Sequence, residues 1–99
     1  MKKFSIIADP RVKYDLEEAR SYLNTKRKGF GKKFLIEYRK TIQQLYKTPH
    51  FQLRYDTIHC LPMKTFKYMI HYKIIEKDHK IHIFAVLSTY LDPKKHYKF

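Results

Sequence analysis

Two runs rich in apolar and aromatic residues, separated by three polar ones, constrain this chain more than any other feature. Tyr68–Glu76 reads YMIHYKIIE, Lys80–Ser88 reads KIHIFAVLS, and Lys77-Asp78-His79 lies between them. Both runs are dense in Ile, Tyr, Phe and Val, which fill a pleated, half-buried surface, and the short polar connection predicts a β-hairpin. The hairpin follows a basic half with helical patterning. That order restricts the fold class before any motif is considered.

Phe4–Ala8 is short, apolar and bounded by Asp9-Pro10, which predicts a first strand. Asp9 suits an N-cap, and Pro10 suits the first helical position, where its missing N–H costs nothing. Val12, Leu16, Ala19 and Leu23 recur at spacings of four, three and four, which places them on one face of a helix running to about Asn24. Asp15, Glu17 and Glu18 lie early in it and Arg20 and Lys26 late, in sympathy with the helix dipole. Gly29-Phe30-Gly31 reads as a turn after Lys26-Arg27-Lys28. A second helix follows with Phe34, Tyr38, Ile42 and Leu45 as its stripe, and Pro49 closes it because Thr48 before it is biased away from helix. Three strands are then expected, over Arg54–Leu61, Tyr68–Glu76 and Lys80–Ser88. The order β-α-α-β-β-β predicts an α+β domain, a helical hairpin packed on one face of a small, mostly antiparallel sheet.

Ninety-nine residues suit one domain, here expected to span residues 1–99. Only two glycines and four prolines argue against a low-complexity or disordered chain. Cys60 is the sole cysteine, which excludes an internal disulfide and a cysteine-based zinc cluster. It reads as a small buried strand residue. The opening MKKFSIIA has too short an apolar run for a signal peptide, with charges returning at Asp9, Arg11 and Lys13. No segment reaches the roughly 20 apolar residues that span a bilayer. These features predict a cytoplasmic protein with no membrane partner.

The formal charge is +13, from 22 Lys and Arg against nine Asp and Glu. It divides as +8 in residues 1–47 and +5 in residues 48–99, so it describes a charged surface on a folded body rather than a basic tail. Such a surface attracts polyanions, and counterion release favours nucleic-acid binding. RNA, the ribosome, DNA and an acidic protein are all candidate partners.

No zinc-protease motif, phosphate-binding loop or nucleotide-binding glycine pattern is present, and no cofactor or metal is expected. His71 and His82 fall on adjacent expected strands and His59 on the same sheet, but no carboxylate accompanies them at an informative spacing. Ordinary strand packing is the favoured reading. A second constellation has chemical content: Lys64, Lys67, His71, Lys73 and Tyr97, with Tyr90, His96 and Lys98 nearby. RNA cleavage by the ribose 2′-hydroxyl needs a base, cations for the charged phosphorane and an acid for the leaving oxygen. Lys, His and Tyr can fill these roles without metal, and aromatic rings can stack on exposed bases.

With these residues in view, the chain resembles the RelE/ParE superfamily of bacterial type II toxins over nearly its whole length. Ile58–Tyr68, IHCLPMKTFKY, is similar to the family's IRxLPLxxFPY segment, and Met69-Ile70-His71-Tyr72 to the strand that follows it. Ile83–Leu87, with Asp92-Pro93 shortly after, is similar to the family's closing strand and RDP motif. The resemblance implies a small toxin encoded beside an antitoxin that wraps and neutralises it. RelE-like members cleave mRNA in the ribosomal A site; ParE-like members poison DNA gyrase. This chain departs from the ribonuclease pattern at His59, Lys67, Met69, Ser88 and Leu91. The resemblance therefore leans to a gyrase-directed, non-nuclease toxin, with an mRNA endonuclease using Lys64, Lys67, His71, Lys73 and Tyr97 as the alternative. A non-toxic nucleic-acid-binding module and an inactive relative are further readings.

Overall fold

A computed structural model of the chain describes residues 4–46, 53–55 and 58–89, the middle stretch by its backbone alone. Its elements are β1 (Ser5–Ala8), α1 (Pro10–Lys26), α2 (Phe30–Leu45), β2 (Leu53–Tyr55), β3 (Ile58–Pro62), β4 (Tyr68–Ile75) and β5 (Lys80–Ser88). They form one five-stranded sheet in the order β1-β5-β4-β3-β2. β1 runs parallel to β5, and every other neighbouring pair is antiparallel. A parallel pair needs a long crossover, which the helical hairpin begins. The expected α+β architecture is the one observed.

Asp9 caps α1 as expected. It has extended backbone angles, and its carboxylate accepts the Arg11 N–H at 3.0 Å, with Pro10 opening the helix. α1 continues two residues beyond the expected end, to Lys26, before Arg27 turns extended. The chain reverses at Gly29, whose φ of +88° lies where a side chain would be strained. Phe30 and Gly31 then belong to the first turn of α2 rather than to the connection. Gly31 is there because the helices meet: a Cβ would lie 2.8 Å from the Arg20 carbonyl and 2.9 Å from the Asn24 amide. Asn24 also accepts the Gly31 N–H at 2.9 Å. The expected closure of α2 at Pro49 lies outside the described residues; the helix ends at Leu45.

The expected strand Arg54–Leu61 is two strands. β2 pairs antiparallel with β3, Leu53 opposite His59 and Tyr55 opposite Ile58, so the chain folds back between them. The polar pair Asp56-Thr57 interrupts the apolar alternation there, a turn signal that the strand-like residues on either side mask. β4 and β5 form the expected hairpin. Its connection is a 3-10 turn, Glu76–Asp78, closed by His79 in the left-handed region at φ +54°. His79 stacks on Phe4 at 3.9 Å and accepts the Ser5 N–H, which joins the hairpin end to β1.

The sheet has two apolar faces. The helix side carries the main core: Val12, Ala19, Phe34, Tyr38 and Leu45 against Leu61, Ile70, Tyr72, Ile81, Ile83 and Val86. Full burial of one such large side chain stabilises by about 1.5–3 kcal/mol. The other face has a smaller cluster of Ile58, Cys60, Phe84, Ala85 and Leu87, with Met69 partly buried against it. Strand alternation divides the residues between the faces, and a bulge in β5 shifts that alternation. His71 pairs with Ala85 while Tyr72 pairs with Ile83, so β5 has one extra residue between these pairs. Phe84 and Ala85 consequently share the outer cluster, while Ile83 before them and Val86 after them face the helices.

Two carboxylates fasten the layers. The pairing of β1 with β5 ends at Ala8 opposite Ile83. Further along β5, the Val86 N–H donates to Asp15 of α1 at 3.0 Å. On the other helix, Glu37 accepts the Thr65 N–H at 3.0 Å, which ties α2 to the β3–β4 connection.

Candidate functional site

The β3–β4 connection is built from the segment that carries the family-like motif. The Met63 N–H donates to the Tyr68 carbonyl at 3.0 Å, and the Tyr68 N–H to that of Phe66 at 2.8 Å, closing a tight turn. Phe66 is buried beneath it, edge-on to Phe30 at 5.9 Å and to Phe34 at 5.6 Å. Aromatic pairs in this geometry add about 0.5–1.5 kcal/mol to their burial. Lys64 and Lys67 flank Phe66 and are both exposed. A fixed loop thus presents two cations.

Because Phe66 packs on Phe30, this loop shares one end of the molecule with the α1–α2 turn. That turn holds Lys26, Arg27, Lys28, Lys32 and Lys33, all exposed. The Arg27 guanidinium lies 5.5 Å from the Phe30 ring centre and the Lys33 ammonium 5.9 Å from it; Lys26 sits 5.2 Å from the Tyr22 ring. Cations over ring faces are held electrostatically as well as by packing. The described ion pairs of Lys and Arg are Arg11 with Asp9 and Arg20 with Glu17, and neither involves this group. Tyr68, which follows the connection, packs edge-on to Phe34 at 5.1 Å. Burial raises its pKa first, with Tyr22 and Glu18 adding to the shift.

The sequence-derived constellation is only partly gathered here. Lys64 and Lys67 sit on the connection. Lys73 lies six positions beyond Lys67, roughly 20 Å along an extended strand, opposite His82 of β5. His71 is buried, its Nδ1 3.3 Å from Cys60 Sγ and its ring 6.4 Å from Phe84. Cys60 is the buried strand residue expected of it. Tyr97 lies outside the described residues, as do Tyr90, His96 and Lys98.

The three strand histidines do not converge. His71 pairs with Ala85 and His82 with Lys73, while His59 pairs with Tyr72 and stacks on it at 5.4 Å. His82 instead comes within 3.7 Å of Asp9. Among the described residues, no group of three or more His, Cys, Asp or Glu could hold a metal ion. No described helix is long and apolar enough to cross a membrane.

Arg27, Phe30 and Lys33 are the residues that sequence reasoning passed over. Their signal was the Lys26-Arg27-Lys28 run beside a phenylalanine between glycines, which reads as a solvated turn until Phe66 is seen beneath it. A separate groove of about 570 Å³ runs beside α1, lined by Ala8, Pro10, Val12, Leu16, Leu35 and Tyr38 among others, with Tyr14 strongly exposed at its rim.

No family model matches the chain, and no curated protein matches it in sequence. Solved structures match its fold. A chain of the chromosomal ParDE TA system from P. aeruginosa superposes with a TM-score of 0.74 at 10% identity, over 86% of this chain and 95% of that one. A chain of the intact E. coli RelBE toxin–antitoxin complex gives 0.60 at 12% identity, over 86% and 95%. The isolated E. coli RelE toxin gives 0.50 at 11% identity, over 94% and 92%. The chain therefore has the α+β fold of these toxin–antitoxin proteins.

Proposed function

We propose that this chain is the toxin of a type II toxin–antitoxin pair, a growth-arresting protein neutralised by a cognate antitoxin. The observation that carries the reading is the fold likeness to the ParDE chain, which extends over nearly all of both molecules. The order and spacing of the family-like segments Ile58–Tyr68 and Ile83–Leu87 support it independently, because fold alone does not assign function. A net charge of +13 suits an acidic neutralising partner, and the apolar groove beside α1 offers that partner area to cover. The test is induction of the chain alone and together with the product of the adjacent gene. Growth arrest that co-expression relieves, with the two proteins purifying together, is the expected result. Unimpaired growth on full induction of soluble protein would sink the reading.

For its mode of action we favour a non-nuclease, ParE-like toxin directed at DNA gyrase. The support is the scatter of the acid–base set: His71 is packed against Cys60, and Lys73 is far along β4 from Lys64 and Lys67. A general base must reach the proton that it removes, and a buried imidazole does not reach a ribose. The RelE-like alternative, cleavage of mRNA in the ribosomal A site, rests on the same fold with Lys64 and Lys67 as exposed cations and Tyr97 as the remaining acid–base candidate. Primer extension on mRNA from translating ribosomes loaded with the protein separates the two; a defined ribosome-dependent cut would reject the gyrase reading.

A further inference from the structure

Six exposed cations gather at one end of the molecule. Lys26 ends α1, Arg27 and Lys28 lie in the connection, and Lys32 and Lys33 are in the first turn of α2, with Lys64 brought alongside by the Phe66–Phe30 contact. None of the six pairs with a carboxylate among the described residues. Like charges gathered at one end repel, a cost that an arriving anion relieves. Elsewhere the fold spends carboxylates carefully: Asp9 and Glu17 are set beside arginines, and Asp15 and Glu37 on backbone N–H groups. Glu37, four residues after Lys33, accepts the Thr65 N–H. The cations are also steadied. Arg27 and Lys33 lie over one phenylalanine ring and Lys26 over Tyr22, which lowers the entropy they lose when an anion arrives.

We infer that this end is a binding site for the backbone of a single-stranded nucleic acid. Its phosphates are taken by Lys26, Arg27, Lys28, Lys32, Lys33 and Lys64, and the half-exposed Tyr22 ring stacks on a base. The choice over an acidic peptide rests on the aromatic content: a strand of nucleotides offers planar bases to Tyr22 as well as regular phosphates, whereas a run of carboxylates uses only the cations. The inference does not depend on the toxin reading, since it concerns binding by the purified chain.

Fluorescence anisotropy with the full chain tests it, using labelled 12-nucleotide RNA and DNA of mixed sequence and a poly-glutamate peptide of similar charge. If about four phosphates are neutralised, log K falls with log salt at a slope of about −3, and affinity drops roughly 50-fold between 50 and 200 mM salt. Combined Arg27→Gln, Lys28→Gln, Lys32→Gln and Lys33→Gln substitutions should weaken binding more than tenfold and flatten the slope by 2 or more. A control removing four charges elsewhere, at Lys13, Arg39, Lys40 and Lys77, should change the slope by less than 1. All eight side chains are exposed, and circular dichroism checks that both variants fold. Tyr22→Ala should weaken nucleic-acid binding several-fold and leave poly-glutamate unaffected. Equal binding of RNA and DNA places recognition in phosphates and base faces, and preference for RNA adds a 2′-hydroxyl contact; either supports the site. Equal losses in the two charge variants would overturn it. So would poly-glutamate binding as tightly as nucleic acid with Tyr22→Ala silent, which would make an acidic protein the occupant.

Discussion

Gly31 and Gly29 stand two residues apart and do opposite work. At Gly31 an added methyl meets the Arg20 carbonyl and the Asn24 amide, both part of the α1 wall. Gly31→Ala would gain about 1 kcal/mol of helix propensity and lose about 1–3 kcal/mol to overlap, so a lower urea midpoint is expected. At Gly29 there is space but the wrong backbone: nothing lies within 4 Å, and φ is +88°. Gly29→Ala should cost about 1 kcal/mol, and Gly29→Asn should recover much of it because asparagine tolerates the left-handed region. If Asn and Ala behave alike, the backbone argument fails. Tyr38 gives a pH prediction. Burial, with a smaller contribution from Asp15, pushes its phenol from the usual 10 up to about 12. The unfolded chain therefore releases this proton first, and stability is complete below pH 10 and falls as pH rises from about 10 to 12, by roughly 2 kcal/mol. Tyr38→Phe should flatten that alkaline limb in a denaturation series; an unchanged limb would locate the effect elsewhere.

The joints between helices and sheet are carried by two carboxylates, and neither was legible in the sequence. Periodicity places Asp15, three residues after Val12, and Glu37, three after Phe34, on the flank of each apolar stripe, where a carboxylate reads as a solvated border. Only the tertiary structure shows the Val86 N–H left beyond the end of β1 and the Thr65 N–H turned toward α2. Asp15→Ala should cost about 1–3 kcal/mol, and amide exchange at Val86 should quicken more than at Ile81 inside the paired region. Unaltered protection at Val86 would count against this role. What the sequence did reveal follows a physical pattern. The Asp9-Pro10 cap, the stripes of α1 and α2 and the β4–β5 hairpin depend on local chemistry and spacing, and all are present. The split of Arg54–Leu61 and the bulge at Phe84 depend on register between strands, which single-strand alternation does not encode. The candidate site divides the same way: Lys64 and Lys67 lie close to a motif, whereas Arg27 and Lys33 join them only through the Phe30–Phe66 contact.

The whole molecule is a compact apolar sandwich of two helices and a sheet beneath an unusually basic exterior. The fold matches the ParDE and RelBE chains at about one residue identical in ten, so the shared features are layers and strand order rather than individual side chains. That is why function must be argued from what the surface carries. Among the described residues, that surface offers cations without a carboxylate partner at one end and an apolar groove beside α1, while His71 is buried against Cys60. The most direct measurement is pulse labelling of DNA and protein synthesis after tightly controlled induction of the chain alone, without the product of the adjacent gene. Under the proposed gyrase-directed mode, DNA synthesis stops first, with protein synthesis initially intact. An immediate stop in protein synthesis with DNA labelling preserved would contradict it and move the ribosome-directed nuclease to the front.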